Sequence, residues 1–198
     1  MQIQTVIVGV ALFLGACGST AATTTFVSSW KSPTAQPLQV KGSRVAASVM
    51  LNDVASRRDA EDKLAKQITE RGGQGVPMYQ IVQNEYDEAT ARDALAKAQV
   101  QGVVVMQPSE VDLTTNTPID YSASPYNTYW GGYYDFGQPV AAPTKSVSVN
   151  TLIYSLRQNQ LVWAGQSKTS DATTVDSLIS EVSAATADEL NRLALLTP

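Results

Sequence analysis

Few side chains in this 198-residue chain could do chemistry, and the inventory starts with a gap: there is no histidine. That removes the commonest general base, the commonest zinc ligand and every Ser-His or Cys-His nucleophile pair. With a single cysteine, no disulfide can form within the chain. Ser28-Ser29-Trp30-Lys31 has the S-x-x-K spacing of penicillin-binding enzymes, where a lysine one helical turn away takes the serine proton. Here the string lies on a stretch that reads as a strand ending at Pro33, so Ser28 and Lys31 point to opposite faces. No S-D-N or K-T-G partner follows it. Glu85, Asp87 and Glu88 could pair as acid and base in glycoside cleavage. Asp87 and Glu88 suit the first turn of a helix better, because the macrodipole favours negative charge there. Arg57, Arg58 and Lys63 could grip an anion, but Asp59, Glu61 and Asp62 interleave with them, which describes a solvated, self-paired helix face. Trp30 and Trp163 read as fillers of the core or its edge. There is no calcium loop and no P-loop. The sequence therefore predicts no catalytic residue, no metal ligand set and no cofactor; the expectation is a protein that is not an enzyme.

One position does promise a reaction. Val6 to Leu14 is an apolar run, too short for the roughly 20 residues of a membrane-spanning helix and of the length found in signal peptides. Gly15, Ala16 and Cys17 follow it. Leu14-Gly15-Ala16-Cys17 resembles a bacterial lipobox, and that resemblance implies cleavage before Cys17 and lipidation on its sulfur and new amine. Several acyl chains on one residue anchor firmly where a single chain is marginal, each buried CH₂ contributing about 0.8 kcal/mol. Gly18, rather than Asp, follows the cysteine. In the Gram-negative lipoproteins that this resembles, that implies the outer membrane, with the protein facing the periplasm. Residues 17–25 then form a short polar tether, whose stretch Gly18 to Thr25 reaches roughly 30 Å when extended.

A second region offers contact rather than reaction. Residues 114–143 hold four prolines, three glycines and a run of rings: Tyr121, Tyr126, Tyr129, Trp130, Tyr133, Tyr134 and Phe136. Irregular inserts of this length are uncommon in compact domains and often functional. Tyrosine and tryptophan give large, rigid contact area at low entropic cost, so these seven residues are the candidate partner-binding set.

The elements that must carry these residues follow from periodicity. Strands are predicted at Phe26 to Trp30 and at Arg44 to Leu51. Asn52 or Asp53 can cap a helix running to about Arg71, with Ala60, Leu64, Ala65 and Ile68 as its apolar stripe. A third strand is predicted at Val76 to Val82, then a helix at Glu88 to Gln99 after an Asp87 cap. Val103 to Met106 is a continuous apolar run, as expected of a strand buried on both faces, with Val111 and Leu113 able to prolong it. Val147 to Leu156 and Leu161 to Thr169 form a hairpin about Gln158-Asn159. A last helix spans about Thr174 to Leu195, with Ile179, Val182, Thr186, Leu190 and Leu193 facing inward. The order predicts an α+β or α/β domain over residues 26–198: a mixed sheet of about five to six strands with three helices packed on it. Hydrophobic residues at 43% support a real core, and a net charge of -4 argues against nucleic acid, which demands a basic patch.

Ser29-Trp30-Lys31-Ser32-Pro33, Arg57-Arg58 with Glu61, Leu161-Val162-Trp163-Ala164-Gly165 with Thr169, and the Leu-rich closing helix together resemble a widespread family of small bacterial envelope lipoproteins with a domain of unknown function. The resemblance covers roughly Thr25 to Leu196, interrupted by the aromatic insert. It implies a fold similar to the N-terminal domain of TolB and the periplasmic part of curli-secretion lipoproteins, and it brings no catalytic residues. The expectation is a non-enzymatic binding or scaffold module on the outer membrane, meeting an envelope protein or polymer. The alternative is a subunit of an envelope assembly or export complex.

Overall fold

In a computed structural model, which describes residues 22–82, 88–109 and 146–196, the apolar runs at residues 44–49 and 102–109 lie inside one mixed sheet. The chain order is β1 (Thr23–Lys31), β2 (Arg44–Val49), α1 (Val54–Glu70), β3 (Gln74–Pro77), α2 (Met78–Ile81), α3 (Glu88–Lys97), β4 (Gly102–Ser109), β5 (Ser146–Ser155), β6 (Gln160–Ser170) and α4 (Val175–Arg192). The six strands lie in the order β1-β6-β5-β4-β2-β3. β2 runs parallel to β3 and β4; the remaining pairs are antiparallel. The predicted fold class holds.

Ala46, Ala47, Ser48 and Val49 of β2, and Val103, Val105 and Met106 of β4, are buried because helices cover both faces. On one face α2 and α3 place Met78, Val82, Ala91 and Leu95 against Ala46, Val103 and Val105. On the other, α1 and α4 place Ala60, Leu64, Ile179 and Val182 against Ala47, Val49, Met106 and Val149. The step from β2 to β3 goes one way and the step from β3 to β4 goes back, so crossovers of one hand put α1 and α3 on opposite faces.

The predicted helix starts hold. Asp53 caps α1, its Oδ2 accepting from the Ser56 N–H at 2.7 Å. Thr174 caps α4 in a reciprocal box with Ser177. Asn159, with φ 52°, sits in the β5–β6 turn. One element differs from expectation: β3 stops at Pro77, and Met78–Ile81, expected to continue it, winds into the single turn of α2. The expected extensions at Val111 and Leu113, and the cap at Asp87, lie outside the described residues.

Register defines two ends of the sheet. Thr23 pairs with Ser170, Ser170 with Ser146, and Ser148 with Ser109, so the start of β1, the ends of β6 and β4 and the start of β5 share one end. Gly102, Ser155 and Gln160 mark the other. Across the sheet, α1 sits over β3 and β2, and α4 over β1 and β6. A helix is about 10 Å wide and strands are about 4.8 Å apart, so each helix covers two strands. On this face α1 and α4 close over Met106 of β4 and Val149 of β5, and farther along Val104 of β4 keeps some exposure between them.

Candidate functional site

The two sets singled out by sequence, Cys17 and the rings at Tyr121, Tyr126, Tyr129, Trp130, Tyr133, Tyr134 and Phe136, lie outside the described residues. What bounds them is described. The chain carrying the rings leaves β4 after Ser109 and re-enters β5 at Ser146, and those adjacent antiparallel strands remain paired up to Ser109 and Ser148. The described chain begins at the same end of the sheet, where Thr23 of β1 pairs with Ser170.

Among the described residues, a strongly perturbed titratable group lies near that end as well. Glu61 belongs to the apolar stripe of α1, not to a solvated face, and is fully buried. Its Oε2 accepts from the Tyr79 N–H at 2.9 Å and its Oε1 from the Val49 N–H at 3.4 Å. It thus supplies the first turn of α2 with an acceptor, which is why the chain coils at Met78 after Pro77 instead of extending. Burial pushes its pKa from 4.5 up to about 7, against the two backbone hydrogen bonds and the nearby Arg57 charge, which lower it. Around it, Tyr79 donates its hydroxyl to Asp62 at 2.9 Å, and the Arg58 guanidinium lies 5.3 Å from the Tyr79 ring centre. Lys63 pairs with Asp59, as expected of the exposed side of α1. A perturbed carboxyl at the carboxyl ends of parallel strands is where chemistry is often sought. With no exposed surface, Glu61 is a fastener between α1, β2 and α2.

The other candidate residues resolve plainly. Lys31 donates to the Leu193 carbonyl at 2.9 Å and Ser29 to Glu189 Oε1 at 3.0 Å, so Lys31 ties β1 to the end of α4 and has no role toward Ser28. Arg192 binds Glu189 through two contacts of 2.7 Å, and this holds the Glu189 carboxyl below its usual range. Trp163 is fully buried, edge-on to Phe26 with centroids 5.5 Å apart. Trp30, paired with Ala164 of β6, packs against the core cluster on the α2–α3 face of the sheet. Among the described residues no cluster of carboxylates and thiols could hold a metal ion, and no helix is long and apolar enough to cross a membrane.

The seam between α1 and α4 makes the site that sequence reasoning missed. Between α1 and α4 lies a cavity of about 930 Å³, near the top of the range for small-molecule sites. Val45, Val104, Met106 and Ile153 form its floor. Leu64 and Ile68 line the α1 wall; Ser183, Thr186 and Leu190 line the α4 wall. Ser183 and Thr186 are 8% and 6% exposed, yet neither hydroxyl has a hydrogen-bond partner among the described residues. A buried hydroxyl left unsatisfied costs about 1–3 kcal/mol. Lys41, Arg71 and Arg157 line the cavity toward the end of the sheet where Gly102 pairs with Ser155, and among the described residues no Asp or Glu lines it. In a chain of net charge -4, that is a local inversion of sign. The three cations are distant in sequence, so no motif announces them. The one local hint was the polar pair Ser183 and Thr186, spaced three apart on the inner face of α4.

No protein-family model and no curated protein matches the chain. Among solved structures it is similar to a point-variant dodecamer of PelC from Paraburkholderia phytofirmans, with 15% identity and a TM-score of 0.46 over 85% of this chain and 97% of that one. It is also similar to the PelC dodecamer from the same organism, with 14% identity and a TM-score of 0.44 over 89% and 99% of the two chains. Likeness at this level fixes neither partner nor activity.

Proposed function

We propose that the chain is a lipid-anchored, non-enzymatic binding module on the periplasmic face of the outer membrane, acylated at Cys17. It meets an envelope protein or polymer through the aromatic connection between β4 and β5. The observation that carries this reading is the shared end of the sheet. The residues before β1 enter the sheet at the end where the chain leaves β4 and re-enters β5, which supports a contact made close to the anchor. Rings with one apolar body and one polar tip suit contacts made at that surface.

Two measurements test it. Cys17→Ser should abolish metabolic palmitate labelling and move the protein out of the membrane fraction; an unlabelled parent that stays membrane-bound without cleavage would sink the anchor. Deleting Tyr121–Phe136 should leave the far-ultraviolet spectrum and melting of the domain intact, because β4 and β5 pair without it. The same deletion should remove the envelope crosslinks formed in intact cells. Unchanged crosslinks would reject the segment as the contact.

One feature favours the alternative, a subunit of an envelope assembly. β1 is a nine-residue edge strand with Val27 54% exposed, and among the described residues only β6 pairs with it. Free edges of that length are templates for pairing between copies. Discrete oligomers in detergent, lost when Val27→Pro blocks the edge, would support it; a monomer at every concentration would oppose it.

A further inference from the structure

We propose that the cavity between α1 and α4 binds a single-chain anionic amphiphile, an alkyl chain with a carboxylate or phosphate head, at a site separate from the aromatic segment. Three independent features define the occupant. The floor is apolar: Val104 and Met106 of β4 and Ile153 of β5 line it between the two helices. This is the surface an alkyl chain would dry. The cationic set Lys41, Arg71 and Arg157, with no acidic residue in the lining among the described residues, suits a head that is negatively charged. Ser183 and Thr186, more than nine-tenths buried and partnerless among the described residues, offer two hydroxyls to a polar atom or water carried inside. A neutral hydrocarbon would leave the cations without a counterpart. A bare anion would leave the apolar floor wet. Only a ligand with both parts answers both.

The cationic end of the cavity lies at the end of the sheet opposite the tether, where Gly102 and Ser155 pair. The head is therefore taken up away from the anchoring bilayer, and the alkyl chain runs inward along Val104 toward Met106.

The test uses the full chain in phosphatidylcholine nanodiscs, a photoactivatable diazirine palmitate, and peptide mapping of the adducts. Adducts are expected on the β4 and α4 peptides containing Val104 and Leu190. Palmitate should compete at least about tenfold better than hexadecanol, the difference set by charge-assisted contacts to the head. Dodecyl phosphate should compete as well, and inorganic phosphate should not. Replacing Lys41, Arg71 and Arg157 by Gln together should bring palmitate down to the level of hexadecanol. Val104→Trp, which fills the floor, should remove the adducts while melting stays cooperative. Ser183→Ala serves as a second, milder variant should Val104→Trp fail to fold, and should weaken labelling. Adducts confined to the tether, equal competition by hexadecanol, or adducts indifferent to both floor and wall variants would overturn the proposal. So would labelling that shows only after Tyr121–Phe136 is deleted or Cys17 is replaced, since the protein's own segment or acyl chain would then be the occupant.

Discussion

Helix α1 has two flanks, and they are packed to opposite standards. Toward β3 it comes so close that a Cβ at Gly75 would lie 2.0 Å from the Ala65 carbonyl oxygen. There the Thr69 hydroxyl accepts from the Gly75 N–H at 3.2 Å and donates to the Ala65 carbonyl at 2.9 Å. Toward α4, Leu64 and Ile68 face a cavity. The same helix, with the same apolar stripe, closes one seam and leaves the other open. Small residues explain the difference: Gly73, Gly75 and Ala65 let α1 settle close over β3 and β2, which draws its other flank away from α4. α4 is held over β1 and β6 by Lys31 and by Ser29 through Glu189. The two helices meet beside Ala60, Ile179 and Val182 and leave a cavity between them farther along.

The sharpest way to break this comparison is to force the closed flank open. Gly75→Ala places a methyl group against backbone that has no rotamer to yield. We expect a loss of about 3 kcal/mol or more in denaturant unfolding, among the largest for any single methyl group in this protein. A loss below about 1 kcal/mol would mean that α1 can slide toward α4, and that the cavity is slack rather than built.

The next effect is set by Glu61, on the same helix. Its folded pKa of about 7 exceeds the ordinary 4.5, so the folded state holds the proton more tightly than the unfolded state does. Its contribution is then fully present below pH 4.5 and is lost as pH rises through 7, by about 3 kcal/mol in all. Glu61→Gln keeps an acceptor for the Tyr79 N–H and has no proton to lose. Its unfolding free energy should therefore vary less between pH 4.5 and 8 than that of the parent. Parallel profiles for the two proteins would show that Glu61 is already ionised in place, compensated by Arg57.

How much of this could be read from sequence depends on whether the cause was local. The order of elements, a cap at Asn52 or Asp53, the start of the last helix near Thr174 and the Gln158-Asn159 turn were legible, because each is decided within a few residues. Glu61 was not, although it follows Ala60 and precedes Leu64, Ala65 and Ile68 by three, four and seven residues, the spacing of one stripe. Its charge suggested a solvated face, and only the distant N–H groups of Val49 and Tyr79 reverse that. The same long-range acceptor turned Met78–Ile81 from strand to helical turn, in a short apolar run where periodicity cannot choose. The cavity is less legible still. It is the space left between two well-formed helices, and its cations come from positions 41, 71 and 157, each unremarkable alone.

The finest test compares two residues of one type on one strand. Val104 and Val105 are neighbours on β4 and point to opposite faces. Val105 is fully buried under the α2–α3 layer, whereas Val104 keeps some exposure at the floor of the cavity. Val105→Phe must push a ring into atoms already at interior density and should cost about 1–3 kcal/mol. Val104→Phe extends into empty space and should change stability by no more than about 0.5 kcal/mol, with any gain coming from apolar area newly covered. Because backbone, strand propensity and added volume are the same in both, thermal or denaturant melts of the pair isolate the one variable that differs, the room above the side chain. Equal losses would mean that the space over Val104 closes in solution. A loss at Val105 alone would show that the sheet holds its centre open without a ligand to prop it, so the binding site is formed before anything enters it.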